Sequence, residues 1–109
     1  ALPILGIAGV QTQSSAWSAG NGEDRVQVDL VIDRRDQVVN LCEMKFSIRP
    51  FTIDKRYADT LMRKIELFRE LTKTPKAVWL TFITTHGLAG NQYAQSLVHN
   101  SLTMDTLFQ

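Results

Sequence analysis

This 109-residue sequence predicts an α/β domain with a mixed β-sheet. Three stretches carry the prediction. Val26 to Ser47 shows two runs of period-two alternation joined by Arg35-Asp36-Gln37, the pattern of an antiparallel hairpin. Tyr57, Leu61, Ile65 and Phe68 recur at helical spacing, with Ala58, Met62 and Leu71 widening the stripe, so an amphipathic helix follows. Ala77 to Ile83 is a nearly continuous apolar run, as expected of a strand buried on both faces. A strand entered from a crossover helix lies parallel to its predecessor with a right-handed connection, so this one is expected beside Val39–Phe46.

The first residues, Ala1 to Ala8, read as the stub of a helix with Gly9 as its C-cap. Val10 to Ala19 is polar and reads as an edge strand. The Gly20-Asn21-Gly22 turn returns it antiparallel to Val26–Asp33. Glu23 and Asp24 read as solvated turn residues, Glu23 being a remoter candidate for approaching a cation. In the hairpin a three-residue loop sets Arg34 opposite Val38, Leu30 opposite Cys42 and Val28 opposite Met44. That register puts Val26, Val28, Leu30, Ile32, Cys42, Met44 and Phe46 on one face, the expected core side. The other face then sets Asp29 opposite Glu43 and Gln27 opposite Lys45. Thr52 or Asp54 caps the helix and Pro75 stops it. Thr84 to Gly87 closes the buried strand, Asn91 to Gln95 is a loop or short helix, Ser96 to Leu102 a last strand, and Asp105 to Phe108 a terminal helical turn.

Opposed carboxylates repel across a ladder. A divalent cation relieves the conflict, and hard cations such as Mg²⁺ take one or two carboxylates, waters and substrate phosphate. Asp29, Glu43 and the Met44 carbonyl are the candidate metal ligands, with Mg²⁺ or Mn²⁺ as the cofactor. Lys45 is the candidate for serving a phosphate or an attacking water, and Gln27 for assisting position. These are the parts of metal-assisted phosphodiester hydrolysis. The plainer reading of the same residues is a cross-strand salt-bridge cluster.

Asp29, thirteen intervening residues and then Glu43-Met44-Lys45 resembles the PD-(D/E)XK nuclease superfamily, whose fold is restriction-endonuclease-like. The wider run from Gln27 to Ser47, followed by Phe51–Leu61 and Val78–Leu88, is similar to the C-terminal nuclease-like domain that follows an AAA-type ATPase module in many bacterial proteins. The resemblance covers the chain from about Gly9 onward. It implies one nuclease-like domain over 1–109, a C-terminal fragment of a longer ATPase-containing chain. It also implies an Asp29, Glu43 and Lys45 site, nucleic acid as substrate with DNA ahead of RNA, and the ATPase module as partner. The alternative it leaves open is a non-catalytic regulatory or partner-binding domain of such an ATPase. Two positions depart from the pattern. The acidic residue often carried by a first helix has no counterpart, and the usual Pro before the Asp is Val28.

Composition agrees with an ordinary globular chain, 44% hydrophobic and 21% charged. Its net charge of +1 excludes argument from total charge, but the distribution is uneven. Residues 45–76 hold nine basic and four acidic side chains, the polarity expected beside bound phosphate. A solvated helix face accounts for the same block, with Arg63 and Lys64 as flank residues. The one cysteine forms no internal disulfide and fits the reducing cytoplasm. No apolar run is long enough to span a membrane. His86 and His99 lack zinc-ligand spacing, and no Gly-rich phosphate loop is present.

Overall fold

The computed structural model describes residues 12–20 and 25–107. The expected helix stub at Ala1–Ala8 and the turn residues Asn21 to Asp24 lie outside them. The fold is a five-stranded mixed sheet in the order β1-β2-β3-β4-β5, with β1 Thr12–Ala19, β2 Val26–Arg34, β3 Val38–Lys45, β4 Ala77–Thr84 and β5 Asn100–Thr103. Helix α1, Lys55–Thr72, crosses from β3 to β4, and the short helices α2, Gln92–Leu97, and α3, Met104–Leu107, flank β5. β1, β2 and β3 are antiparallel neighbours; β4 runs parallel to β3, and β5 parallel to β4.

The β2–β3 hairpin has the expected register from Asp33 opposite Val39 to Leu30 opposite Cys42, but the ladder does not continue to the expected pairs Val28 with Met44, Asp29 with Glu43 and Gln27 with Lys45. Its three-residue loop ends on Gln37 at φ 71°, the left-handed position that closes such loops. A side chain is strained there and glycine is not. Gln37→Gly is therefore expected to stabilise the protein by about 0.5–1 kcal/mol, read as a higher urea midpoint with an unchanged slope.

The core lies on a different face from the one the hairpin pattern predicts. Ser15 pairs with Val31 and Trp17 with Val28, so the single residue Ala16 on β1 faces Asp29 and Leu30 on β2. This is a bulge, and it reverses the inside–outside alternation along β2. Val28 and Val31 consequently share one face, with Val39, Leu41, Val78, Leu80 and Phe82, and α1 packs there through Ala58, Leu61 and Phe68. Leu30, Ile32, Cys42 and Met44 form a smaller cluster on the opposite face with Ile83, Leu102 and Met104. Phe46, expected in the core, is 72% exposed because it lies beyond the end of β3.

Local chemistry explains the helix. Asp54 caps it by accepting the Tyr57 N–H at 2.8 Å, and Lys73, in the left-handed conformation, ends it by donating its N–H to the Arg69 carbonyl. Burying Leu61 and Phe68 contributes about 2–3 kcal/mol each. Met62 and Leu71, read as widening the apolar stripe, are exposed. Their positions lie beyond the arc that one sheet face can cover. Ser96 and Leu97 belong to α2, not to the last strand, because Asn91 accepts the Ala94 N–H and nucleates a helix.

Candidate functional site

The C-terminal end of β3 carries the candidate site. Regular β2–β3 pairing runs from Asp33–Val39 to Leu30–Cys42. Next to that last pair, the bulge re-aims Asp29. Its exposed carboxylate accepts the Met44 backbone N–H at 2.9 Å, so it lies in the gap between the two strands. The N–H and C=O of one strand residue point to the same side. The Met44 carbonyl therefore points into that gap as well.

Glu43 occupies the α1-facing side of β3 and is 2% exposed. Its Oε1 accepts the Lys64 ammonium at 2.5 Å and the Tyr57 hydroxyl at 3.4 Å. Its Oε2 is buried and has no hydrogen-bond partner among the described residues. A carboxylate oxygen so placed carries an uncompensated desolvation cost, which a ligand cation would remove. Burial first, and then the Glu43 charge, its hydrogen bond and the Asp29 charge, push the Tyr57 phenol well above its ordinary value. Asp29 at the Met44 N–H and Glu43 one residue before it lie at the same end of the sheet. Cys42 is pushed up to about 12, first by burial and then by the same two acids. A thiol held protonated in this way is a core residue and not a nucleophile.

Lys45 stands on the same side of β3 as Glu43. Its ammonium lies 4.8 Å from the Tyr57 ring centroid and 5.5 Å from that of Phe51. The two rings meet edge to face at 5.5 Å, and Phe51 is fixed by backbone bonds to Gly87 and Ala89. The Lys45 carbonyl accepts the Thr85 N–H, which anchors the end of β3 to the end of β4. Aromatic faces attract a cation, so the two rings hold the Lys45 side chain at this end of the strand.

The structure thus gathers Asp29, Glu43, Met44 and Lys45. Gln27 is a correction. It pairs with Ser18 and lines a separate surface depression with Ala16, Arg25 and Ser18. Its neighbour Val28 faces α1, so alternation turns Gln27 to the other face. A second correction concerns charge. The expected repulsion between Asp29 and Glu43 is offset on the Glu43 side by Lys64, read from sequence as a solvated flank residue. Tyr57 and Lys64 are the site residues that sequence reasoning missed. They lie seven positions apart, two helical turns, on either side of the buried Leu61. Nothing in the sequence marks Lys64 apart from the other basic residues on the helix flanks.

Among the described residues no three His, Cys, Asp or Glu side chains group as a metal cage. The candidate donors are two carboxylates and a carbonyl, oxygen ligands of the kind Mg²⁺ takes together with several waters. A cavity of about 450 Å³ lies at the other end of the sheet. It is lined by Trp17, Val31, Phe68 and Pro75, and its carboxylate, Asp33, is paired with Lys76 at 2.7 Å. His99 accepts the Leu80 N–H and stacks on Trp79, a structural role. No described helix is long and apolar enough to cross a membrane.

No family model matches the sequence, and no curated protein matches it. Among solved structures the fold is similar to the crystal structure of a protein of unknown function, AF1548, with a TM-score of 0.59 and 17% identity. The match covers 92% of this chain and 52% of that one, so the chain spans about half the length of this neighbour. At that identity the likeness establishes a shared α/β fold with a mixed sheet.

Proposed function

We propose that the chain is a metal-dependent nuclease domain of PD-(D/E)XK type, hydrolysing phosphodiester bonds in nucleic acid, DNA ahead of RNA. The observation that carries this reading is the buried Oε2 of Glu43, without a hydrogen-bond partner among the described residues, at the end of a strand where Asp29 accepts the Met44 N–H. Glu43, Asp29 and the Met44 carbonyl would hold Mg²⁺ or Mn²⁺. The ion when bound would lower the pKa of a coordinated water and offset charge on the phosphate. Lys45 faces the incoming phosphate and stabilises the extra negative charge of the transition state. The attacking water forms the new P–O bond and releases a proton to solvent, while the departing oxygen takes one up. The basic block at residues 45–76 supplies the polarity for a phosphate backbone. A buried Cys42 and a single cysteine fit the cytoplasm, and the expected partner is an AAA-type ATPase module in the same chain.

The test separates holding the metal from using it. Lys45→Ala is expected to keep metal binding by calorimetry and to lower cleavage by at least about a hundredfold, assayed on single-stranded, double-stranded and branched DNA and on RNA. A second reading, a non-catalytic regulatory domain of the ATPase, is favoured by Lys64, which already neutralises Glu43. No heat with Mg²⁺ or Mn²⁺, and no cleavage, would put that reading ahead.

A further inference from the structure

Glu43 is served unequally: among the described residues Oε1 has two donors and Oε2 has none. The stronger donor, Lys64, reaches in from α1 with a side chain 18% exposed, so its charge sits in a poorly screened place. We infer that Lys64 is a positioning residue that serves as the resident counter-cation of this site, holding Glu43 by one oxygen, presenting the other to a divalent metal, and setting the metal affinity by charge competition. The inference rests on the metal site proposed above and adds its regulation.

The physical argument has two parts with opposite signs. Before metal binds, Lys64 compensates a carboxylate that is otherwise buried with only a phenol beside it. Once metal binds, ammonium and metal are like charges sharing one carboxylate, and each weakens the hold of the other. A purely structural ion pair predicts the first effect alone. Tyr57 stands on the same oxygen as Lys64 and is uncharged, so it orients Glu43 without entering the competition. The helix sets both contacts, since Tyr57 and Lys64 are two turns apart on the face that docks on the sheet.

Isothermal titration of Mn²⁺ into the 109-residue chain, with thermal melts at several metal concentrations, tests this. Lys64→Gln retains a donor for Oε1 and removes the charge, so it limits the risk that the variant fails to fold; Lys64→Met removes both. In each, metal is expected to bind at least about tenfold more tightly than in the parent. The metal-induced rise in melting temperature should be larger, even though the metal-free melting temperature is lower. Lys64→Arg keeps the charge and should stay within about threefold of the parent affinity. Equal or weaker binding in Lys64→Gln, with the parent binding normally, overturns the role of Lys64 and leaves the metal site standing. Absence of binding in the parent and in every Lys64 variant overturns the metal site itself, and the inference with it. Binding in Lys64→Gln but not in the parent supports it, with Lys64 then excluding metal until it is displaced.

Discussion

Glu43→Ala is expected to abolish divalent-metal binding and to lower cleavage by at least about a thousandfold. On the proposed reading Glu43 supplies the ligand oxygen, since its Oε2 has no hydrogen-bond partner among the described residues, and Asp29 on its exposed bulge cannot replace a buried carboxylate. The same substitution strands the Lys64 ammonium, but that side chain retains some solvent access and can turn outward. Activity should therefore fall far more than stability. The check is calorimetry with Mn²⁺, cleavage at saturating metal, and a urea melt on one preparation. Retained cleavage with lost metal binding would remove Glu43 from the chemistry.

Lys64→Met has the largest expected effect on the metal-free fold. It leaves the Glu43 carboxylate buried with the Tyr57 hydroxyl as its sole remaining donor on Oε1. Breaking a buried pair from one side costs about 3–5 kcal/mol. For a chain of this size that is a drop in melting temperature on the order of 15 °C. Removing both partners in Glu43→Leu with Lys64→Met should recover much of the loss, since no charge is then left uncompensated. A Lys64→Met melting temperature within a few degrees of the parent would show that the pair is solvated in solution.

Much of the architecture was legible because it is written in local periodicity. The hairpin register followed from the loop length, and Gln37 in the left-handed position is the residue that makes a three-residue loop close. The helix, a cap at Thr52 or Asp54 and a parallel strand over Ala77–Ile83 followed from spacing and composition; the cap is Asp54 and the strand runs to Thr84. The choice of core face did not. Strict alternation assigns Val28 and Ile32 to one side, and the bulge at Asp29–Leu30 breaks that alternation through β1, a strand more than ten residues away in sequence. Gln27 was misplaced by the same assumption. Lys64 was missed because its partner lies across the helix–sheet interface, twenty-one residues away. A basic residue on an amphipathic helix looks identical whether it meets water or a buried acid.

The bulge also separates what the two acids risk. Asp29 sits on an extra residue of β2, exposed, and contributes one hydrogen bond to Met44. Glu43 is embedded among the groups that hold sheet and helix together. Asp29 stands alongside the core and fills no part of it. A descendant of this chain could discard either acid and keep its fold, but only at Glu43 would a neighbour, Lys64, have to turn outward to water. Losing Asp29 leaves a single backbone N–H to find another acceptor, so an inactive relative should reveal itself at Asp29 before Glu43.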